Sequence, residues 1–162
     1  MKKILLFALL SWLPLAVAHA QIPGKSSDPN LEVSIKRVTD MGNGTFRLNL
    51  FVTNHGKEDL NKVFIEAINH NNDQRTQAYD DEGNTYGINS FVFTYAGESR
   101  RYRNINQITQ MVLPKEVPVK VIIDILDVDE FATELLRFDL ILSPYPAFTT
   151  IQFKNISLPR KQ

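Results

Sequence analysis

An antiparallel all-β sandwich of about eight or nine short strands is the fold this sequence predicts, and three observations predict it. Apolar residues recur at every second position in stretch after stretch, as in Phe46, Leu48, Leu50 and Val52, or Val117, Val119, Val121, Ile123 and Ile125. That is the period of a pleated ribbon with one dry face and one wet face. Clusters of Gly, Asn, Asp and Pro separate these stretches at intervals of roughly eight to twelve residues. No convincing amphipathic helix interrupts them. A closed eight-stranded barrel is the alternative, because the same alternation serves it.

The chain opens MKKILLFALLSWLPLAVAHAQ. Lys2 and Lys3 precede an apolar run from Ile4 to Val17, and Ala18, His19 and Ala20 make a small-x-small site, together the pattern of a secretory signal peptide over residues 1–20. The run is well short of the roughly 20 residues that cross a bilayer, so no lasting transmembrane anchor is expected. Cleavage after Ala20 would leave a chain starting at Gln21, and the short two-lysine leader has a bacterial form. The expected location is therefore the periplasm or beyond. Cysteine is absent, so neither a lipidated thiol nor a disulfide framework is expected. A chain of about 140 residues can instead fold on its apolar core alone. Lys+Arg and Asp+Glu number 18 each, two of the lysines lying in the leader. The remainder has no global field to attract nucleic acid or an anionic membrane.

Residues 21–30, with Pro23, Gly24, Ser26, Ser27 and Pro29, read as a flexible linker. The domain is expected over 31–158. Its first strand runs from Leu31 to Val38, where Leu31, Val33 and Ile35 alternate with Glu32, Ser34 and Lys36. Asp40 to Gly44 is a tight turn, whose Gly42, Asn43 and Gly44 accept positive φ at little steric cost. In the next strand Phe46, Leu48, Leu50 and Val52 face inward against Arg47, Asn49 and Thr53, with Phe51 the odd member. The polar run from Asn54 to Asp59 ends it, and Val63, Ile65 and Ala67 share one face of a further strand.

Thr76 to Tyr79, the turn from Asp80 to Asn84, and Thr85 with Tyr86 form a hairpin signal. Phe91, Phe93 and Tyr95 then alternate before a turn at Ala96 to Ser99. Arg100 to Asn106 is polar and basic, whereas Ile108 to Leu113 is apolar enough for a strand. Val117 to Leu126 alternates most strongly, and Ile122 on its opposite face predicts a central strand. Asp127 to Glu134 is an acidic connection with room for one helical turn. Leu136, Phe138, Leu140 and Leu142 make another strand, SPYPAF breaks it, Ile151 to Leu158 is the last, and 159–162 is a frayed tail.

Four landmarks now stand in order: FVTNHGKEDL, the hairpin AYDDEGNTY, the turn AGES and the run MVLPKEVPVKVII. This succession resembles the immunoglobulin-like (telokin-like) extracytoplasmic domains of unknown function in bacterial secreted and envelope proteins. The matching residues are Asn54 and Gly56, then Asp80, Gly83 and Tyr86, then Gly97, then Pro114, and the resemblance runs from about Leu31 to Leu158. It implies an Ig-like sandwich with an interaction role and carries over no catalytic residue. The run RRYRN after the Gly turn departs from the pattern.

The residues that carry chemistry point the same way. Outside the leader the histidines are His55 and His70, both in polar loops, so with cysteine absent a zinc or copper site lacks its usual ligands. The acidic turn Asp80, Asp81, Glu82, Gly83, Asn84 lacks the ligand spacing of a calcium loop, and hairpin turns use the same residue types for backbone reasons. Asp127, Asp129, Glu130 and Glu134 form a second acidic cluster with the same reading. No serine elbow or thiol accompanies the histidines, so no enzyme, metal or cofactor is expected.

Binding residues are easier to name. Arg100, Arg101, Tyr102 and Arg103 could present guanidinium and ring surface to a carboxylate, a phosphate or a partner edge, or could guard an edge strand by charge. Tyr145 and Phe148, in a loop stiffened by Pro144 and Pro146, are candidate anchors. The expected function is a non-enzymatic exported module that binds another envelope protein or helps assemble an envelope complex. The alternative is a carbohydrate-binding module that stacks sugars on exposed rings among Tyr79, Tyr86, Tyr95 and Tyr102.

Overall fold

The computed structural model describes residues 21–69, 71–101, 109–144 and 146–160. The expected leader, Tyr102, Arg103, His70, Tyr145 and the end of the tail lie outside these residues.

In chain order the strands are β1 (Ile22–Pro23), β2 (Lys25–Ser26), β3 (Leu31–Gly42), β4 (Thr45–Asn54), β5 (Leu60–Glu66), β6 (Ile68–Asn69), β7 (Gln74–Arg75), β8 (Gln77–Asp80), β9 (Thr85–Tyr86), β10 (Phe91–Tyr95), β11 (Glu98–Arg101), β12 (Thr109–Leu113), β13 (Val119–Ile125), β14 (Glu134–Pro144) and β15 (Thr149–Ser157). The chain is all-β, and its strand pairs are antiparallel. One sheet has the order β1-β3-β4-β13-β10-β11, and the other β12-β5-β14-β15-β2 with β8 also on β14 and β9 on β8. Neither sheet closes, so the sandwich stands and the barrel alternative does not. Among the described residues ten strands have four residues or more, against an expectation of eight or nine.

The apolar alternation explains the core. Phe46, Leu48, Leu50 and Val52 of β4 are buried, and the residues between them are half-buried. β13 lies between β4 and β10, the central position its two-faced apolar pattern predicts. Between the sheets Phe91 of β10 packs on Phe138 of β14 at 5.6 Å between centroids, and Phe138 stacks on Phe153 of β15 at 5.8 Å. These rings join the layers through large apolar contact. β4 and β5, adjacent in sequence, lie in opposite sheets, so the polar run after Asn54 passes from one sheet to the other at the surface rather than closing a hairpin.

Several expectations need correction. Within the expected linker, residues 22–26 carry two short strands: β1 pairs with Ser34 and Ile35 of β3 in one sheet, and β2 pairs with Ile151 and Gln152 of β15 in the other. The chain changes sheet at Gly24, where a Cβ would come within 2.5 Å of Ile151 Cγ2 and 2.8 Å of the Phe153 ring. Glycine is needed there because the backbone passes directly over the core edge. Leu136 points outward, 47% exposed, and Leu135 is buried instead. A bulge between Leu135 and Arg137 shifts the phase of β14 by one residue. Val117 is 49% exposed because β13 begins only at Val119. Asp127 to Glu134 carries turns and no helix. Arg160, expected in a frayed tail, donates to the carbonyls of Asp129 and Ala132 and lies over the Phe46 ring at 4.9 Å.

One feature has no counterpart in the sequence pattern. Glu66 of β5 faces Ile141 of β14, and Gln77 of β8 faces Asp139, so β5 and β8 run end to end along the same side of β14. The small β6–β7 hairpin is an excursion between them. The buried Thr76 hydroxyl spans the interruption, donating to Glu66 O at 2.6 Å and accepting from Ile141 N at 3.0 Å.

Candidate interaction edges

The basic candidates fall on a sheet edge. Tyr95 and Glu98 pair across a turn in which Ala96 and Gly97 both have positive φ, the two-residue geometry that joins twisted antiparallel strands. The turn sends the chain back as β11, the outermost strand of its sheet, with Arg101 opposite Val92 and Arg100 opposite Phe93. Among the described residues no strand pairs with its outer side, and a sheet edge of that kind offers backbone N–H and C=O groups to a further strand. Phe148 belongs elsewhere: it is half-buried in the turn between β14 and β15, two inner strands of the other sheet. The two candidate patches are therefore carried by different sheets.

The tyrosines proposed for sugar stacking also separate. Tyr86 is buried. Tyr79 stands on β8 in one sheet and Tyr95 on β10 in the other. Among the described residues these rings form no shared platform.

The landmark residues tie loops together. Asn54 is buried; its amide donates to Glu58 O at 2.8 Å and Leu113 O at 3.2 Å, and its Oδ1 accepts from Gly56 N at 2.8 Å. A Cβ on Gly56 would sit 2.8 Å from that oxygen, which is why glycine follows the asparagine by two. Asp80 does the same for the hairpin, accepting from Glu82 N, Asn84 N, Asn84 Nδ2 and the Tyr86 hydroxyl, the last at 2.6 Å. Burial opposes ionisation of Asp80, yet these four donors together hold its carboxyl below the usual carboxylate range. Its oxygens are thus turned toward protons, the arrangement of a structural turn.

Tyr86 in turn accepts from Asp129 N at 3.0 Å, linking the hairpin to the acidic connection. Burial, and then the nearby Asp80 carboxylate, push its phenol up to about 12. Asp81 accepts from Thr133 N and Oγ1 and from Glu134 N. Those bonds, led by the Thr133 hydroxyl, lower its carboxyl in spite of some desolvation. Among the described residues no group of three His, Asp or Glu side chains is placed to hold a metal ion.

Sequence reasoning missed two surface features. His55 bridges Glu32 through Nε2 at 3.1 Å and Glu116 through Nδ1 at 2.8 Å, and hydrogen bonding to these two carboxylates raises its pKa. Glu32 and Glu116 are far apart in sequence, so no local motif announced the cluster. Second, an open groove of about 370 Å³ runs along the side of the sandwich between β3 and β15. Its one sequence signal is the doublet Lys36, Arg37, which breaks the alternation of β3 where the strand bulges against β4. No family model matches this chain, and no curated protein or solved structure matches it either.

Proposed function

We propose that this chain is an exported, non-enzymatic module of the bacterial cell envelope, acting in the periplasm or beyond, that binds another envelope protein through the edge of a sheet. The observation that carries the reading is the position of β11, a short outermost strand bearing Arg100 and Arg101 on an open sandwich. Such an edge offers unspent backbone hydrogen bonds to a partner strand, and arginine supplies directional recognition of a carboxylate at its rim. Further support comes from the buried polar groups Asn54, Asp80 and Thr76, whose bonding capacity goes into holding turns and strands. The immunoglobulin-like resemblance belongs to the same reading, because its matched residues Asn54, Gly56, Asp80 and Tyr86 are those that fasten loops and leave the edges for contact.

The test is capture from envelope extract under mild crosslinking, run in parallel with Arg100→Glu/Arg101→Glu. The unaltered chain should recover a defined partner that the double variant recovers several-fold less well. Recovery of no partner, or of the same partner in equal amount by both, counts against the reading.

A further inference from the structure

The side of the sandwich remote from β11 holds a differently built edge. β1 meets β3 only at Ser34 and Ile35, and β2 meets β15 only at Ile151 and Gln152. The crossing at Gly24 therefore closes one part of the seam between the sheets. Farther along, among the described residues, no strand pairs with Arg37, Val38 or Thr39 on the side of β3 away from β4, or with Phe153 through Ser157 on the side of β15 away from β14. The open part of the seam is the groove of about 370 Å³. Ile22, Ile35, Val38 and Pro159 give it an apolar floor, and Lys36, Arg37, Asn155 and Ser157 a polar rim.

We infer that this groove is a docking site for an extended acidic peptide segment that alternates apolar and carboxylate side chains. An extended chain fits because both walls are strand edges, and a strand laid along one of them places alternate side chains toward the floor and toward the rim. The charge selects its sign: the ionisable groups lining the groove are Lys36 and Arg37, and no carboxylate is among its lining residues. The bulge at this point sets the two cations next to each other, both exposed. A second copy offering its own β3 edge would bring like charges together, so the same residues that repel self-pairing attract a carboxylate-bearing strand. The inference rests on the binding-module reading but uses an edge that β11 does not touch.

The experiment measures fluorescence anisotropy of labelled peptides of about eight residues against the full chain, produced with its leader in an exporting cell. One probe alternates valine and glutamate, and a second valine and lysine. The glutamate peptide should bind at least about ten-fold more tightly than the lysine peptide, and progressively less tightly as salt is raised. Lys36→Glu/Arg37→Glu should reverse that preference. Ser157→Trp, which fills the groove and keeps both cations, should weaken both peptides about ten-fold or more, with thermal melts confirming the fold of each variant. Equal affinity for the two peptides, no saturable binding, affinity unchanged by Ser157→Trp, or a dimer by sedimentation that is lost in the charge variant would each overturn the proposal. Partner capture that still depends on Arg100 and Arg101 while neither peptide binds would sink the groove alone. Peptide binding without such capture would sink the β11 reading alone.

Discussion

The Tyr95 hydroxyl stands in for a neighbouring strand at Val112, accepting from the Val112 N–H at 3.2 Å and donating to its carbonyl at 3.3 Å. Tyr95 ends β10 in one sheet, and Val112 lies in β12 at the edge of the other, so the phenol crosses the seam. Val112 is also where β12 slips register against β5. The ring thereby satisfies backbone that the ladder leaves over.

Tyr95→Phe removes both bonds at a solvent-accessible site, and each such bond contributes about 0.5 to 1.5 kcal/mol net. The expected loss is about 1 kcal/mol in urea unfolding, because water replaces part of what is removed. Amide exchange at Val112 should quicken while Ile123 in β13 keeps its protection. Unaltered exchange at Val112 would show that the phenol does not secure this edge.

Tyr86→Phe takes from the buried Asp80 carboxylate its shortest bond and from Asp129 N its acceptor. A destabilisation of about 1 to 3 kcal/mol is expected. The pH dependence follows from the two shifts. Asp80 has its folded pKa depressed, so its contribution is present above the unfolded value and lost as pH falls through the folded one. Tyr86, raised to about 12, contributes below its unfolded value near 10 and loses that contribution between the two. The variant should unfold at a higher pH on the acid side and be less sensitive to pH across the alkaline window. Parallel pH curves for variant and parent in both windows would contradict this account.

His55 works in the opposite sense from Asp80. Its pKa is raised by hydrogen bonds to Glu32 and then Glu116, so the stabilisation is complete below the unfolded value near 6.5 and disappears as pH rises through the folded one. His55→Gln should melt below the parent at acidic pH and approach it as pH increases, with salt narrowing the gap. A gap that widens with pH would reverse the assignment.

Gly24→Ala tests the sheet crossing. The added methyl would meet Ile151 and Phe153, both fully buried and unable to swing aside. Overpacking of this kind costs about 1 to 3 kcal/mol, read as a lower urea midpoint at unchanged slope. A neutral substitution would mean that the crossing is looser than the packing indicates.

Much of this was legible in the residues because the period-2 signal is local. Each inward residue of β4 and the positive φ at Asn43 and Gly44 follow from the residues themselves. β1 and β2 escape such a reading because two-residue ladders have no periodicity, and Pro23, with Gly24 between the strands, imitates a linker. The alternation alone places Leu136 inward, because a bulge changes phase without changing composition. The edge position of Arg100 and Arg101 was open in the sequence, since strand order depends on pairing between distant segments. The groove was hidden for the same reason: Lys36 and Asn155 meet only after both sheets have formed.

The Thr76 hydroxyl lets the sheet treat the β6–β7 hairpin as a parenthesis. Glu66 and Gln77 lie opposite positions two residues apart on β14, so the ladder resumes almost where it stopped. As long as a hydroxyl returns to that gap, the enclosed segment has latitude to grow, shrink or carry a grafted epitope while the flanking strands keep their register. Evolutionary variation in length has a natural outlet there, and so does an engineer's tag.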